Sequence, residues 1–206
     1  MLNIKMRFSK IEIHDLMKAW FFISLAFAVL FSGGYAFFRS PNFLNFAVIF
    51  IISVFTVGIA FLLHEIAHKF VAQRYNLKAE FRAFDKMLWI ALAMSFFGFI
   101  IAAPGAVMIY GFRINREKNG KISLAGPLTN IMLAIIFLIF VFLLRKETGF
   151  LESFAQIGLL INTLLAVFNM IPIMPFDGAK VLAWNKLVYG TFATFSVLLL
   201  ILGYIL

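Results

Sequence analysis

The 206-residue chain contains no cysteine, which excludes a disulfide scaffold and a Cys-based zinc finger. Charge is scarce as well: only 13% of residues are Asp, Glu, Lys or Arg, against about a quarter in a soluble domain. Acids are fewest, at 9 against 18 Lys and Arg, and the net charge is +9. With so little polar surface, this excess has no face on which to form a basic groove, so a nucleic-acid partner is excluded. Low-complexity tracts, internal repeats and flexible linkers are lacking, and no apolar-poor segment is long enough for a second domain. A single membrane-embedded domain over 1–206 is expected.

What the chain has in excess is apolar: 64% hydrophobic residues, 28 of them Phe, and a mean hydropathy of +1.01. Apolar stretches run over about 18–38, 46–68, 87–112, 122–144, 153–174 and 187–206. Each is close to or above the roughly 20 residues a helix needs to cross about 30 Å of hydrocarbon. The first follows a polar, charged segment and lacks a small-residue cleavage site, so it is expected to remain as an anchor.

The 87–112 stretch decides the topology. If it crosses, basic residues are spread over both sides of the membrane. If it enters and returns, 15 of the 18 Lys and Arg fall on one side, leaving Arg39, Arg145 and Lys146 on the other. The positive-inside rule selects the return. Ala103-Pro104-Gly105 supplies the break, and Val107-Met108-Ile109-Tyr110 reads as strand. Irregular backbone at that depth needs cover from protein or a wet cavity. The expected fold is therefore an all-α integral membrane protein of about five spans plus a re-entrant helix and strand element. Near the N-terminus, Leu2, Ile4, Met6 and Phe8 alternate with polar residues, and Ile11 and Ile13 continue the period. That pattern predicts a short strand, or an amphipathic interfacial segment, with Asp15 capping the next helix.

Chemistry enters at His64-Glu65-Ile66-Ala67-His68, at the end of the second stretch. Residues four apart share a helix face, so two imidazoles can meet one zinc while Glu65 stands beside them to take a proton from water. Composition alone would produce this pattern about once in a thousand such chains. Ionisable residues inside an apolar span mark a functional site.

A catalytic zinc takes three protein ligands. With no Cys, and with the remaining His14 ahead of the first span, the third ligand must be a carboxylate. Glu12, Asp15, Glu80, Asp85, Glu117, Glu147 and Glu152 lie in polar flanks and read as solvated surface. Asp177 follows a long apolar span in Asn169-Met170-Ile171-Pro172-Ile173-Met174-Pro175-Phe176-Asp177-Gly178, where two prolines break the helix. A returning 87–112 puts Asp177 on the same side of the membrane as His64. A crossing one would separate them.

These motifs resemble the site-2 protease family of intramembrane zinc metalloproteases. The family's His-Glu-x-x-His is matched by His64, Glu65 and His68. Its third-ligand region is matched by Asn169, Pro172, Asp177 and Gly178, and its Gly-Pro by Gly126-Pro127. The likeness covers about 46–186 and is to the compact prokaryotic branch without a PDZ or nucleotide-sensing domain. Ala179 stands where many members have a second Gly, and 83–103 is more apolar than usual.

The resemblance implies one Zn2+ per chain held by His64, His68 and Asp177, Glu65 as the catalytic base, and Asn169 as the donor to the developing oxyanion. Asn130 is a rival for that last role, though helix–helix glue is the expected part for it. The substrates implied are membrane-anchored proteins, cut in or near their spans, with the site towards the cytoplasmic side of the cell membrane. A metal carrier would place further His or acids along its spans, and none occurs. A catalytically idle scaffold would tolerate loss of Glu65.

Overall fold

The computed structural model describes residues 6–101, 104–111, 114–145 and 148–206. In chain order the elements are α1 (Lys10–Phe31), a 3-10 turn (Gly34–Arg39), α2 (Phe43–Ser53), a π turn (Val54–Gly58) and α3 (Ile59–Arg74). They continue with β1 (Lys78–Ala83), α4 (Asp85–Ser95), β2 (Gly105–Tyr110), α5 (Arg116–Leu144), α6 (Phe150–Asn169), α7 (Asp177–Trp184) and α8 (Lys186–Ile205). Among the described residues, five helical stretches are long and apolar enough to cross a membrane: Lys10–Phe31, Phe43–Arg74, Arg116–Leu144, Phe150–Asn169 and Lys186–Ile205. The molecule is thus an all-α integral membrane protein, and its described residues include a two-stranded sheet of β1 and β2.

Contacts divide the chain into two compact units. The first comprises Phe8–Leu62 and Glu80–Met108. Here α1 packs against α2, the π turn and α4. The fully buried Ala19 and Ala28 keep its surface low. The indole N–H of Trp20 donates to the Val54 carbonyl at 3.2 Å, supplying a partner where the wider turn interrupts the α-helical ladder. Phe22 meets Trp89 of α4 edge to face.

Helix α1 begins earlier than the polar flank suggests. Ser9 is its N-cap, closing a capping box with Glu12, and Ile11 and Ile13 lie in its first turn. The strand expected there is not formed over Met6–Ser9; its first half falls on residues 1–5, outside the described residues. Asp15 caps nothing on α1. Its Oδ2 instead accepts the Ala83 N–H at 3.3 Å, while the Glu12 Oε1 accepts the Phe81 N–H at 2.9 Å. Both acids are buried, against the solvated reading, because a strand amide that faces neither water nor a second strand needs an acceptor. Glu80 is also half-buried and paired with Arg82.

Successive outward amides of β1 are therefore taken by α1 carboxylates, and the opposite edge pairs with β2. Phe84 donates to Pro104, so the chain returns to its point of departure, antiparallel to β1. The 11-residue α4 is about 16 Å long, roughly half the hydrocarbon thickness, so it cannot cross. The first span also stops sooner than residue 38. Gly33 and Gly34, at φ of 95° and 56°, turn the chain into the 3-10 segment.

The second unit comprises Met1–Arg7, Leu63–Ala79 and Ile109–Leu206. Helices α5, α6 and α8 pack around Ile131, Ala134, Phe137, Leu159, Ala166 and Leu199. Gly158 of α6 lies directly against the Phe137 ring. Helix α7 packs between α5 and α8, which carries its first residue, Asp177, to the site described next.

Candidate metal centre

All the site's side chains belong to the second unit. Helix α3 presents His64 and His68 one turn apart, with their Nε2 atoms 3.0 Å from each other. Asp177 Oδ2 lies 3.0 Å from His68 Nε2 and 3.5 Å from His64 Nε2. The three are buried, at 4%, 7% and 8% exposure, and Glu65 is buried on the same turn of α3. Burial pushes the Asp177 carboxyl up, and the His68 and His64 imidazoles overcome this and hold it well below the usual carboxylate range.

The rings are fixed from behind. His68 Nδ1 is 2.8 Å from the Ile122 carbonyl, and His64 Nδ1 is 2.6 Å from Asn130 Oδ1. A backbone carbonyl only accepts, so His68 Nδ1 carries the proton. The hydrogen-bonded orientation of Asn130 requires the same of His64. In neutral rings both Nε2 atoms then carry lone pairs. Two such atoms and a carboxylate oxygen converge at 3.0 to 3.5 Å. Such a cluster needs a positive charge, a proton or a metal ion, to hold it together. Donors held by one ion at about 2.0–2.1 Å stand roughly 3.3 Å apart at tetrahedral angles, so the residues fit zinc.

Two glycines make the convergence possible. A Cβ on Gly126 would sit 2.5 Å from His64 Nε2 and closer still to His68 Nε2, so only hydrogen fits on α5 at that point. A Cβ on Gly178 would overlap the Met170 carbonyl, so this residue lets the start of α7 close on the end of α6. Lys180 then donates to Asp177 Oδ1 at 3.3 Å, leaving Oδ2 for the imidazoles.

Gly126→Ala is expected to lower metal affinity by at least about tenfold, because the added methyl displaces both imidazoles. Alanine favours the helix by about 1 kcal/mol over glycine, so lost binding cannot be ascribed to lost helix. Metal titration beside a melting curve checks this.

Asn169 does not share a helix with Asp177, eight residues further on. It ends α6, and residues 170–176 are non-helical, so the helical spacing does not apply. Its Nδ2 donates to the Leu165 carbonyl at 2.9 Å. Asn130, by contrast, touches His64 directly. Sequence reasoning missed Lys180 and Asn162. Lys180 is three residues after Asp177 on one short helix, and Asn162 is an amide in the middle of an apolar span.

A membrane-embedded helical protein with a buried His-Glu-x-x-His helix and a converging carboxylate has the build of a membrane metallopeptidase. The family model for Peptidase family M50 matches residues 49–156, and the chain belongs to that family, the site-2 proteases its motifs resemble. It is 43% identical over 185 residues to MJ0611 of Methanocaldococcus jannaschii, provisionally named a zinc metalloprotease, covering 89% of this chain and 90% of that one. YwhC of Bacillus subtilis, named in the same way, is 28% identical over 63% of this chain and 66% of its own. MJ0392 of M. jannaschii, named a zinc metalloprotease, is 29% identical over 68% of this chain and 35% of its own. No solved structure matches.

Proposed function

We propose that this protein is an intramembrane zinc endopeptidase that cuts membrane-anchored proteins in or near their spans. The observation that carries this reading is the convergence of the His64 and His68 Nε2 atoms and an Asp177 oxygen beside Glu65, with both histidines on a helical stretch long enough to cross a membrane. His64, His68 and Asp177 hold one zinc per chain. When bound, zinc supplies a Lewis acid that polarises the scissile carbonyl and makes water more acidic.

The chain's own residues do the rest. Glu65 accepts a proton from the attacking water and passes it to the leaving amine, so it acts first as base and then as acid. Asn130 is committed to His64 and Asn162, which leaves Asn169 as the donor to the oxyanion. One of its N–H groups is used by Leu165, and the second turns to the substrate. A substrate helix must unwind before its peptide bonds are reachable. One edge of β1 is closed by Glu12 and Asp15, so the edge carried by β2 receives the unwound segment as an added strand.

Elemental analysis of the purified protein is the test of the centre. One zinc per chain, removed by a chelator and restored by added zinc, is the expected result, and protein that takes up none refutes it.

The site faces the cytoplasmic side of the cell membrane, where the returning 87–112 segment keeps 15 of 18 basic residues. Lys86 and Glu117 flank that segment and are exposed, and the chain has no cysteine of its own. In Lys86→Cys and Glu117→Cys, a membrane-impermeant thiol reagent is expected to label both only from the cytoplasmic side. Labelling from opposite sides refutes the orientation.

A further inference from the structure

Asp177 offers two oxygens, and their surroundings differ. Oδ2 faces both imidazoles, 3.0 Å from His68 Nε2 and 3.5 Å from His64 Nε2. Oδ1 accepts from Lys180 Nζ at 3.3 Å. The two residues are three apart on α7, so the spacing of the helix itself carries the ammonium to this oxygen. Asp177 is buried while the Lys180 side chain is 29% exposed, so the pair lies at the margin of the site.

A lysine is an unfavourable neighbour for a cation. Its ammonium repels a divalent ion held on the other side of the same carboxylate, and it draws on the negative charge that attracts that ion. Tight binding alone would be served better without it. What the ammonium does is occupy an oxygen. An aspartate with both oxygens free can hold a metal through one or through two. Two imidazoles and one oxygen leave a zinc ion a fourth position for water or substrate, whereas a second oxygen would compete for that position.

We propose that Lys180 is a positioning residue that restricts Asp177 to ligation through one oxygen, so that the ion keeps one position open although it is bound less tightly. This rests on the zinc site proposed above. The consequence has a sign opposite to that of ordinary support. A residue that merely steadies a ligand weakens the metal when it is removed, by about 10–100-fold. Removing Lys180 frees Oδ1 and takes away a repelling charge, so the metal binds more tightly and with more ligands.

The full-length protein in detergent is stripped with a chelator, and zinc affinity is measured by chelator competition. A second portion is loaded with Co2+, whose visible absorption is several times stronger in tetrahedral than in five-coordinate surroundings. Lys180→Met keeps the length of the side chain and removes its charge and donors. It is expected to bind zinc about tenfold more tightly, through loss of the repelling charge and gain of Oδ1. Its cobalt absorption is expected to fall by about half as the coordination number rises. Lys180→Arg keeps the charge and the donors and is expected to match the unsubstituted protein in both measurements. Should Lys180→Met leave too little folded protein, Lys180→Ala, a strong helix former, is read in the same way.

Weaker zinc in Lys180→Met would make Lys180 an ordinary support and overturn the inference. An unchanged cobalt spectrum overturns it too, because Oδ1 then stays away from the metal in either case. So does a Lys180→Arg protein that behaves like Lys180→Met. If the unsubstituted protein takes up neither metal, the metal-centre reading itself fails, which is a different result from any of these.

Discussion

Glu65→Gln is expected to lower the rate of proteolysis by about 10²–10⁴-fold while bound zinc stays at one per chain. Glu65 is buried one residue after His64 and three before His68, on the turn that carries both imidazoles. The substitution keeps the side chain's length and one acceptor oxygen, and removes only the capacity to take a proton. The metal ligands and the hydrogen bonds behind them are untouched. Single-turnover cleavage and elemental analysis on the same preparation separate the two effects. A variant that cuts at the native rate would remove Glu65 from the mechanism. One that also loses zinc would make it a ligand.

Alanine at His64, His68 or Asp177 is expected to abolish stoichiometric zinc, with losses in affinity well beyond the about 10–100-fold that supporting residues contribute. Two ligands are too few to hold the ion. Asp177 is the informative case, because it comes from a different helix 109 residues further along the chain than His68. Its Oδ2 lies as near to His68 Nε2 as the two imidazole nitrogens lie to each other. Full zinc occupancy in Asp177→Ala would show that another group completes the site.

Much of this arrangement was legible because membrane sequences state their constraints openly. A run of about 20 apolar residues has few alternatives to a span, and His64, Glu65 and His68 stand out against such a background. The α4 to β2 return was visible through the Lys and Arg distribution and through Pro104-Gly105, before any geometry. Less legible was what polar residues do once the chain has folded. Glu12 and Asp15 look like a solvated flank, and become buried only because β1 lies against α1 and its amides need acceptors. β1 itself carried a readable signal, with Ala79, Phe81 and Ala83 alternating with Lys78, Glu80 and Arg82, but its basic residues read as a flank. Asn162 could be flagged as an amide in an apolar span. Its link to His64 runs over three helices and exists only in three dimensions.

The central claim is that this chain hydrolyses peptide bonds within the membrane. Its most direct test is mass spectrometry of the products formed when zinc-loaded protein in detergent meets a single-span substrate tagged at both ends. The account predicts two complementary fragments whose new termini lie in or beside the hydrophobic segment, absent after chelation and absent with Glu65→Gln. Fragments cut only in the soluble flanks, or an intact substrate in the presence of protein carrying one zinc per chain, would contradict it.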